Sequence, residues 1–285
     1  LLKPKVEGET GEDAEWDEFI KVGPEDAMNT SPAGFDKTGR IFYMQDSRER
    51  DTSALFAVNL DTGDVTMIAE DPRADIGGAI THPTEKTIQA VSFTYSRTEW
   101  TILDESIRPD IDYLNSVEDG EMLVTSRTLD DSLWTVAYVL DNGPLKFYLY
   151  DRDNREAKYL FSSRDDLDDY ELVKMHTPVI KSRDGLNLVS YLSLPLERDS
   201  DGDGRPDKPL PLVLDVHGGP WARDGWGCNS THQWLANRGY AVLSVNYRGS
   251  TGFGKNFINA ANAEWSRKMH DDLIDAVQWP VDEGM

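Results

Sequence analysis

The apolar run Leu210-Pro211-Leu212-Val213-Leu214-Asp215-Val216 breaks into His217-Gly218-Gly219-Pro220, and this junction limits the possible folds more than any other stretch. A short apolar run of this kind reads as a buried strand. A glycine pair at its end lets the backbone turn sharply and approach a ligand closely, because no Cβ intervenes. Amides freed by such a turn can face an anion. Donors preset where negative charge develops stabilise a transition state by about 2.7–4 kcal/mol each. The plainer alternative is a tight strand-to-loop turn that binds nothing.

A second apolar run, over 241–245, leads into Asn246-Tyr247-Arg248-Gly249-Ser250-Thr251-Gly252-Phe253-Gly254. Between the two runs the sequence predicts a helix capped near Asn229 or Ser230, carrying Trp234, Leu235 and Ala236, and closed by Gly239. Strand 211–217, helix, strand 241–247 and a last helix from about Met269 form the alternation of a doubly wound α/β sheet. Met269, Leu273, Ile274 and Val277 give that last helix an apolar stripe, and Pro280 is expected to end or kink it. Just upstream, Val179–Ser182, the Asp184-Gly185 turn and Leu186–Leu194 read as a hairpin.

The texture before about Leu172 is different. From about Ser31 to Phe161 short β-prone runs (Arg40–Gln45, Ala54–Leu60, Val65–Ala69) alternate with turn formers. The stretch 56–68 resembles 148–160 at an offset of 92 residues, and half of that offset falls within the ~40–50 residues of a propeller blade. A middle unit is then expected, with a turn at 82–88 and strands near Ile88–Thr94 and Glu99–Leu103; Ile88 follows Ile41 by 47 residues. A meander or sandwich with chance similarity is the alternative. At the chain start, Trp16, Phe19, Ile20 and Val22 fit one short strand, and no signal-peptide pattern follows Leu1.

Charge narrows the partners. A net charge of −23, from 52 acidic and 29 basic residues, argues against nucleic acid and anionic membrane surfaces. No apolar stretch approaches the roughly 18 residues of a spanning helix. The single cysteine, Cys228, cannot form an internal disulfide and is expected to be an inert, buried thiol.

Taken together, Val213–Pro220, Gly239–Val242, Asn246–Gly254 and the hairpin entrance Val179–Gly185 resemble the prolyl oligopeptidase family of serine peptidases, nearest its acylaminoacyl-peptidase and dipeptidyl-aminopeptidase-like branch. The match is strong over 172–285 and weaker over 31–165. The resemblance implies β-propeller blades (1–170, about three of them) followed by the N-terminal part of an α/β-hydrolase domain (171–285). It implies acyl transfer on short peptides, access restricted by the propeller, and no required cofactor. The backbone N–H of Gly219, or Gly218, would be one oxyanion donor, and His217, Pro220, Tyr247 and Arg248 would belong to the active-site loops. His217 would orient its loop, and Arg248 would either anchor its loop or bind substrate.

No Gly-x-Ser-x-Gly elbow occurs in the sequence, and Gly249-Ser250-Thr251-Gly252 lacks its spacing. Ser250 is therefore not read as a nucleophile. The catalytic Ser, Asp and His are expected beyond Met285, and residues 1–285 alone are expected to be inactive. His82, His176, His232 and His270 receive no base role, and His232 and His270 are expected on helix surfaces. A carboxylesterase or lipase also fits the His-Gly-Gly motif. A propeller-based binding module with a decayed hydrolase domain is the non-enzymatic alternative. Peptide-end preference is not legible, nor is oligomeric state, homo-oligomer included.

One constellation stands apart. Asp199, Asp201, Asp203 and Asp207, with Gly204, match the first part of a calcium loop, but Leu210 occupies the place of the bidentate glutamate. A structural calcium and a solvated acidic loop are both open readings. The former would suit a compartment with millimolar calcium, such as the periplasm; the cytoplasm is the alternative.

Overall fold

A computed structural model describes residues 1–4 and 15–285. At the chain start β1 (Leu2–Pro4) pairs antiparallel with β2 (Trp16–Glu18). The strand stops before Phe19 and Ile20, which instead pack against Phe42, Met44 and Val58 of the first large sheet.

Three antiparallel sheets follow in chain order. The first comprises β3 (Ser31–Phe35), β4 (Ile41–Asp46), β5 (Ala54–Asn59) and β6 (Val65–Ala69), each paired with the next. The second has three strands, β7 (Ile76–Thr81), β8 (Ile88–Thr94) and β9 (Thr98–Ile102). In place of a fourth strand the chain enters a 3-10 turn and α1 (Arg108–Leu114). The third sheet is four-stranded again: β10 (Glu121–Arg127), β11 (Leu133–Val139), β12 (Lys146–Asp151) and β13 (Glu156–Ser162). The two similar segments occupy equivalent places, the β5–β6 and β12–β13 hairpins, each the last pair of its sheet.

Alternation explains the stacking. Tyr43 and Leu55 of the first sheet bury against Ile76, Val91 and Phe93 of the second. Ile80 and Ala90 on the second sheet meet Trp134, Val136, Tyr138 and Tyr150 on the third, with Ile107, Ile111 and Leu114 among them. The helix thus fills space beside a sheet one strand short, a role no strand-type periodicity signals. Charges buried near Trp134 are paired: Asp131 binds Arg127 and Arg152 at 2.5 Å each, and Arg152 also reaches Asp110 at 2.8 Å. Unpaired, such groups would carry a heavy desolvation cost.

The last sheet is mixed. β14 (Val179–Lys181) and β15 (Asn187–Ser193) form the expected hairpin, and β16 (Leu212–Asp215) runs parallel to β17 (Ala241–Val245). The spatial order is β14-β15-β17-β16, with β15 antiparallel to β17. Helix α2 (Ser230–Ala236) joins the parallel pair, and Asn229 caps it by accepting from the Thr231 and His232 amides. After β17 come α3 (Lys255–Asn259) and α4 (Lys268–Asp282).

Three expectations are corrected here. His232 does not lie on a helix surface: it is fully buried, with Nδ1 3.0 Å from Ser193 Oγ and Nε2 2.9 Å from Ser244 Oγ. The hydroxyls on β15 and β17 supply what a buried ring needs. Pro280 does not end α4, which runs on to Asp282; Pro280 itself is buried in the helix. The buried face of α4 is Met269, Asp272, Ala276 and Pro280, while Ile274 is exposed. Asp272 on the buried face pairs with Arg248 at 2.7 Å, and Leu273 packs beside it against the core.

Candidate functional site

Because β16 and β17 are parallel and register Asp215 against Ser244, both end at the same edge of the sheet. The loops that follow, 216–224 and 246–254, therefore lie side by side. Side chains and amides fasten them together. The Tyr247 ring stacks on His217 at 4.7 Å, and its Oη donates to the His217 carbonyl at 3.0 Å. His217 Nε2 lies 2.9 Å from Ser250 Oγ. Asn246 accepts from the Asp224 amide at 2.8 Å and donates to the Val189 carbonyl at 3.1 Å. The Thr251 amide donates to Ala222 O at 2.9 Å.

Gly218 and Gly219 are exposed at the tip of the first loop. Among the described residues neither of their amides meets a hydrogen-bond acceptor. Gly219 has φ +136°, and a Cβ there would sit 2.6 Å from the Trp221 nitrogen, so only glycine fits. The Gly219-Pro220 peptide is cis. Pro220 is buried, and Gly249 backs onto it so closely that a Cβ on Gly249 would lie 2.7 Å from Pro220 Cβ.

Arg248 anchors its loop. Its guanidinium is 3% exposed and binds Asp272 through Nε at 2.8 Å and Nη2 at 2.7 Å, and Asp184 through both terminal nitrogens at 3.0 and 2.8 Å. The Arg248 amide also donates to Asp272. The guanidinium beside Asp184 holds that carboxyl down at about 2. Sequence inspection missed both aspartates as partners. A cation at the end of a buried strand demands carboxylates, but nothing in spacing ties position 248 to 184 or 272.

Ser250 and His217 have the separation of a nucleophile–base pair. However, Ser250 is fully buried, its Oγ lies 2.7 Å from the Tyr247 carbonyl, and His217 Nδ1 faces its neighbour Gly218 O rather than a carboxylate. The pair braces the loops. Asp224, also missed, packs below the turn. One of its carboxylate oxygens is buried with no hydrogen-bond partner, and burial pushes its carboxyl above the ordinary range, with His217 opposing and Asp215 adding to the rise.

The other candidates lie apart. Oxygens of Asp199, Asp201 and Asp203 come within 4.8 Å of one another. Asp199 is also held by His176 Nε2 at 2.6 Å and by the Gly204 amide at 2.9 Å. Asp207 pairs with Arg198 at 3.2 Å and does not join the group. Three oxygens are fewer than the six to eight a calcium ion takes. Cys228 is half-buried, and burial raises its thiol pKa, away from thiolate. It lines a cleft of about 1000 Å³ with Tyr170, Trp226, Gln233 and Trp234, but neither glycine of the turn, nor Tyr247, nor Ser250, opens onto that cleft.

The geometry is that of a mixed sheet whose parallel strands end in a braced glycine turn with two exposed amides that meet no acceptor among the described residues. Comparison with known proteins places the chain beside a family. Residues 226–285 match the model of the prolyl oligopeptidase family. The dipeptidyl aminopeptidase BIII of Pseudoxanthomonas mexicana is 50% identical over 275 residues, which are 96% of this chain and 40% of that protein. The dipeptidyl peptidase family member 6 of Caenorhabditis elegans is 38% identical over 97% of this chain and 40% of its own length. Among solved structures, the Pyrococcus horikoshii acylaminoacyl peptidase superposes with a TM-score of 0.62 at 18% identity, over 95% of this chain and 40% of that one. The chain is thus similar to the prolyl oligopeptidase family over residues 226–285 and to dipeptidyl peptidases over nearly its whole length. It spans about two fifths of the length of the relatives it matches.

Proposed function

We propose that this chain is the propeller-to-hydrolase portion of a serine peptidase that hydrolyses oligopeptides by acyl transfer. In this reading the three antiparallel sheets are propeller blades, and residues from about 171 onward begin an α/β-hydrolase domain. The observation that carries the reading is the pair of exposed, unpartnered amides at Gly218 and Gly219, at the carboxyl end of β16. A serine hydroxyl, passing its proton to a histidine base, adds to the peptide carbonyl to give a tetrahedral oxyanion, and one of these amides donates to it. A second donor, the nucleophile, its histidine base and the carboxylate that orients it come from parts of the relatives' length outside residues 1–285. His217 and Tyr247 set the turn, Pro220 seats it, and Arg248 anchors the neighbouring loop.

The names of the two relatives favour release of dipeptides from free peptide N-termini. Short peptides are the substrates, and nucleic acid is disfavoured by the charge of −23. The test uses the complete protein that carries this chain. It should label with a fluorophosphonate and cleave dipeptidyl nitroanilides with a free amino end faster than N-acetylated ones. Cleavage of simple esters without any peptide would replace this reading with a carboxylesterase. Failure to label would leave a binding module.

A further inference from the structure

The amides of the glycine turn are useful only if they are held still, and the structure shows what holds them. Helix α3 begins at Gly254, which has no side chain with which to cap it, yet the first amides of a helix need acceptors. They find them on residues far back in the chain, beside the first two antiparallel sheets. The Lys255 amide donates to the Asp51 carbonyl at 3.1 Å, and the Asn256 amide to Asp51 Oδ1 at 2.8 Å. The Gly254 amide donates to Asp75 Oδ2 at 3.1 Å, and the Asp75 amide returns a bond to Gly252 O at 3.0 Å. Gly254 has φ +88°, and a Cβ there would lie 2.6 Å from Asp51 Oδ1, so this approach requires glycine.

Asp51 lies between β4 and β5, and Asp75 immediately precedes β7. Asp75 is buried and also accepts from the Ser53 amide at 2.7 Å and Asn29 Nδ2 at 2.6 Å, so its carboxylate is fixed from several sides. The segment these two residues grip, 252–256, continues directly into 249–251. That stretch backs onto Pro220, binds Ala222 through Thr251 and meets His217 through Ser250. An unbroken series of contacts therefore runs from the first two antiparallel sheets to the glycine turn. Arg223 strengthens it by donating to the Thr94 and Tyr95 carbonyls at 2.9 Å each.

We infer that Asp51 and Asp75 are positioning residues for the oxyanion donors at Gly218 and Gly219, supplied by the sheets rather than by the domain that performs the chemistry. The inference rests on the peptidase reading above. Donors that drift lose transition-state stabilisation more than substrate binding, so the effect belongs in kcat.

The experiment uses the complete protein with Asp51→Ala, Asp51→Asn and Asp75→Ala, and Tyr191→Phe as a control. Tyr191 Oη bonds Ser96 O at 3.0 Å across the same interface, and among the described residues no hydrogen bond joins its side chain to 249–256. Asp51→Ala and Asp75→Ala are expected to lower kcat by about tenfold or more, to slow fluorophosphonate labelling in step, and to leave KM within about twofold. Asp51→Asn keeps the side-chain acceptor and should recover most of kcat. Tyr191→Phe should lower Tm and leave kcat unchanged. Asp51 is exposed, so its two variants carry the test even if Asp75→Ala fails to fold. Wild-type kcat in Asp51→Ala, or an equal kcat loss in Tyr191→Phe, would overturn the inference. A wild-type protein that neither labels nor cleaves peptides would instead remove the peptidase reading, and this inference with it.

Discussion

Arg248 shows how one side chain fixes a loop. It holds a fully buried carboxylate, Asp272, and a half-exposed one, Asp184, with paired hydrogen bonds to each. Replacing it by methionine would strand Asp272 without a counter-charge. We expect a loss of about 3–5 kcal/mol in urea denaturation. Lysine should not restore it, because one ammonium cannot reproduce a planar fork on two carboxylates. Asp184 adds a pH signature. Its folded pKa lies below that of the unfolded chain, so its contribution is complete above about 3.8 and disappears as pH falls toward about 2. At Gly219 the penalty is functional. Alanine would collide with the Trp221 nitrogen, and under the proposed oxyanion role this displacement should cut kcat of the complete protein by roughly 10²–10³.

Helix α2 is a case where the element decides protonation. Its cap is local, Asn229, but its packing places His232 between two strands and away from water. Burial holds the ring neutral and its pKa down at about 4. The unfolded ring protonates near 6.5, so stability from this residue is complete above that pH and is lost between 6.5 and about 4. The total is about 3 kcal/mol at roughly 1.4 kcal/mol per pH unit. Urea midpoints measured across that window should fall, and His232→Asn should flatten the part of the slope above pH 5. Helix α4 makes a related point. Pro280 removes one helical N–H, yet the helix continues because its final turn is packed: Trp279 and Met285 lie against the core of the mixed sheet.

Across the molecule, the antiparallel sheets and the mixed sheet share a polar, hydrogen-bonded boundary. Lys255 Nζ meets Asp26 at 2.7 Å, Arg97 stacks on Trp226 at 3.5 Å, and the Cys228 amide reaches Leu140 O at 2.7 Å. Each part satisfies backbone groups of the other. Residues 172–285 expressed alone should therefore be poorly soluble, with β16 as an open sheet edge and with Tyr191 and the start of α3 uncovered. Size-exclusion and melting experiments would check this; a soluble fragment with a cooperative transition would contradict it.

Local chemistry was enough to read much of this protein. Runs of β-prone residues between turn formers marked β4, β5 and β6, the Asp184-Gly185 turn marked the hairpin, Asn229 marked the start of α2, and the glycine pair after β16 marked the turn. Each of these depends on neighbours within a few residues, and that range is visible in a sequence; β8 was placed by the repeat spacing instead. What the sequence left dark depends on separation. The partners of Arg248 lie 64 and 24 residues away, and the caps of α3 lie 179 and 205 residues away. The burial of His232 follows from hydroxyls on two other strands, and α1 exists where a fourth strand would otherwise stand. Desolvation and ion pairing act through space, so only the tertiary structure could decide which charges meet, which histidine stays neutral and which distant residues steady the glycine turn.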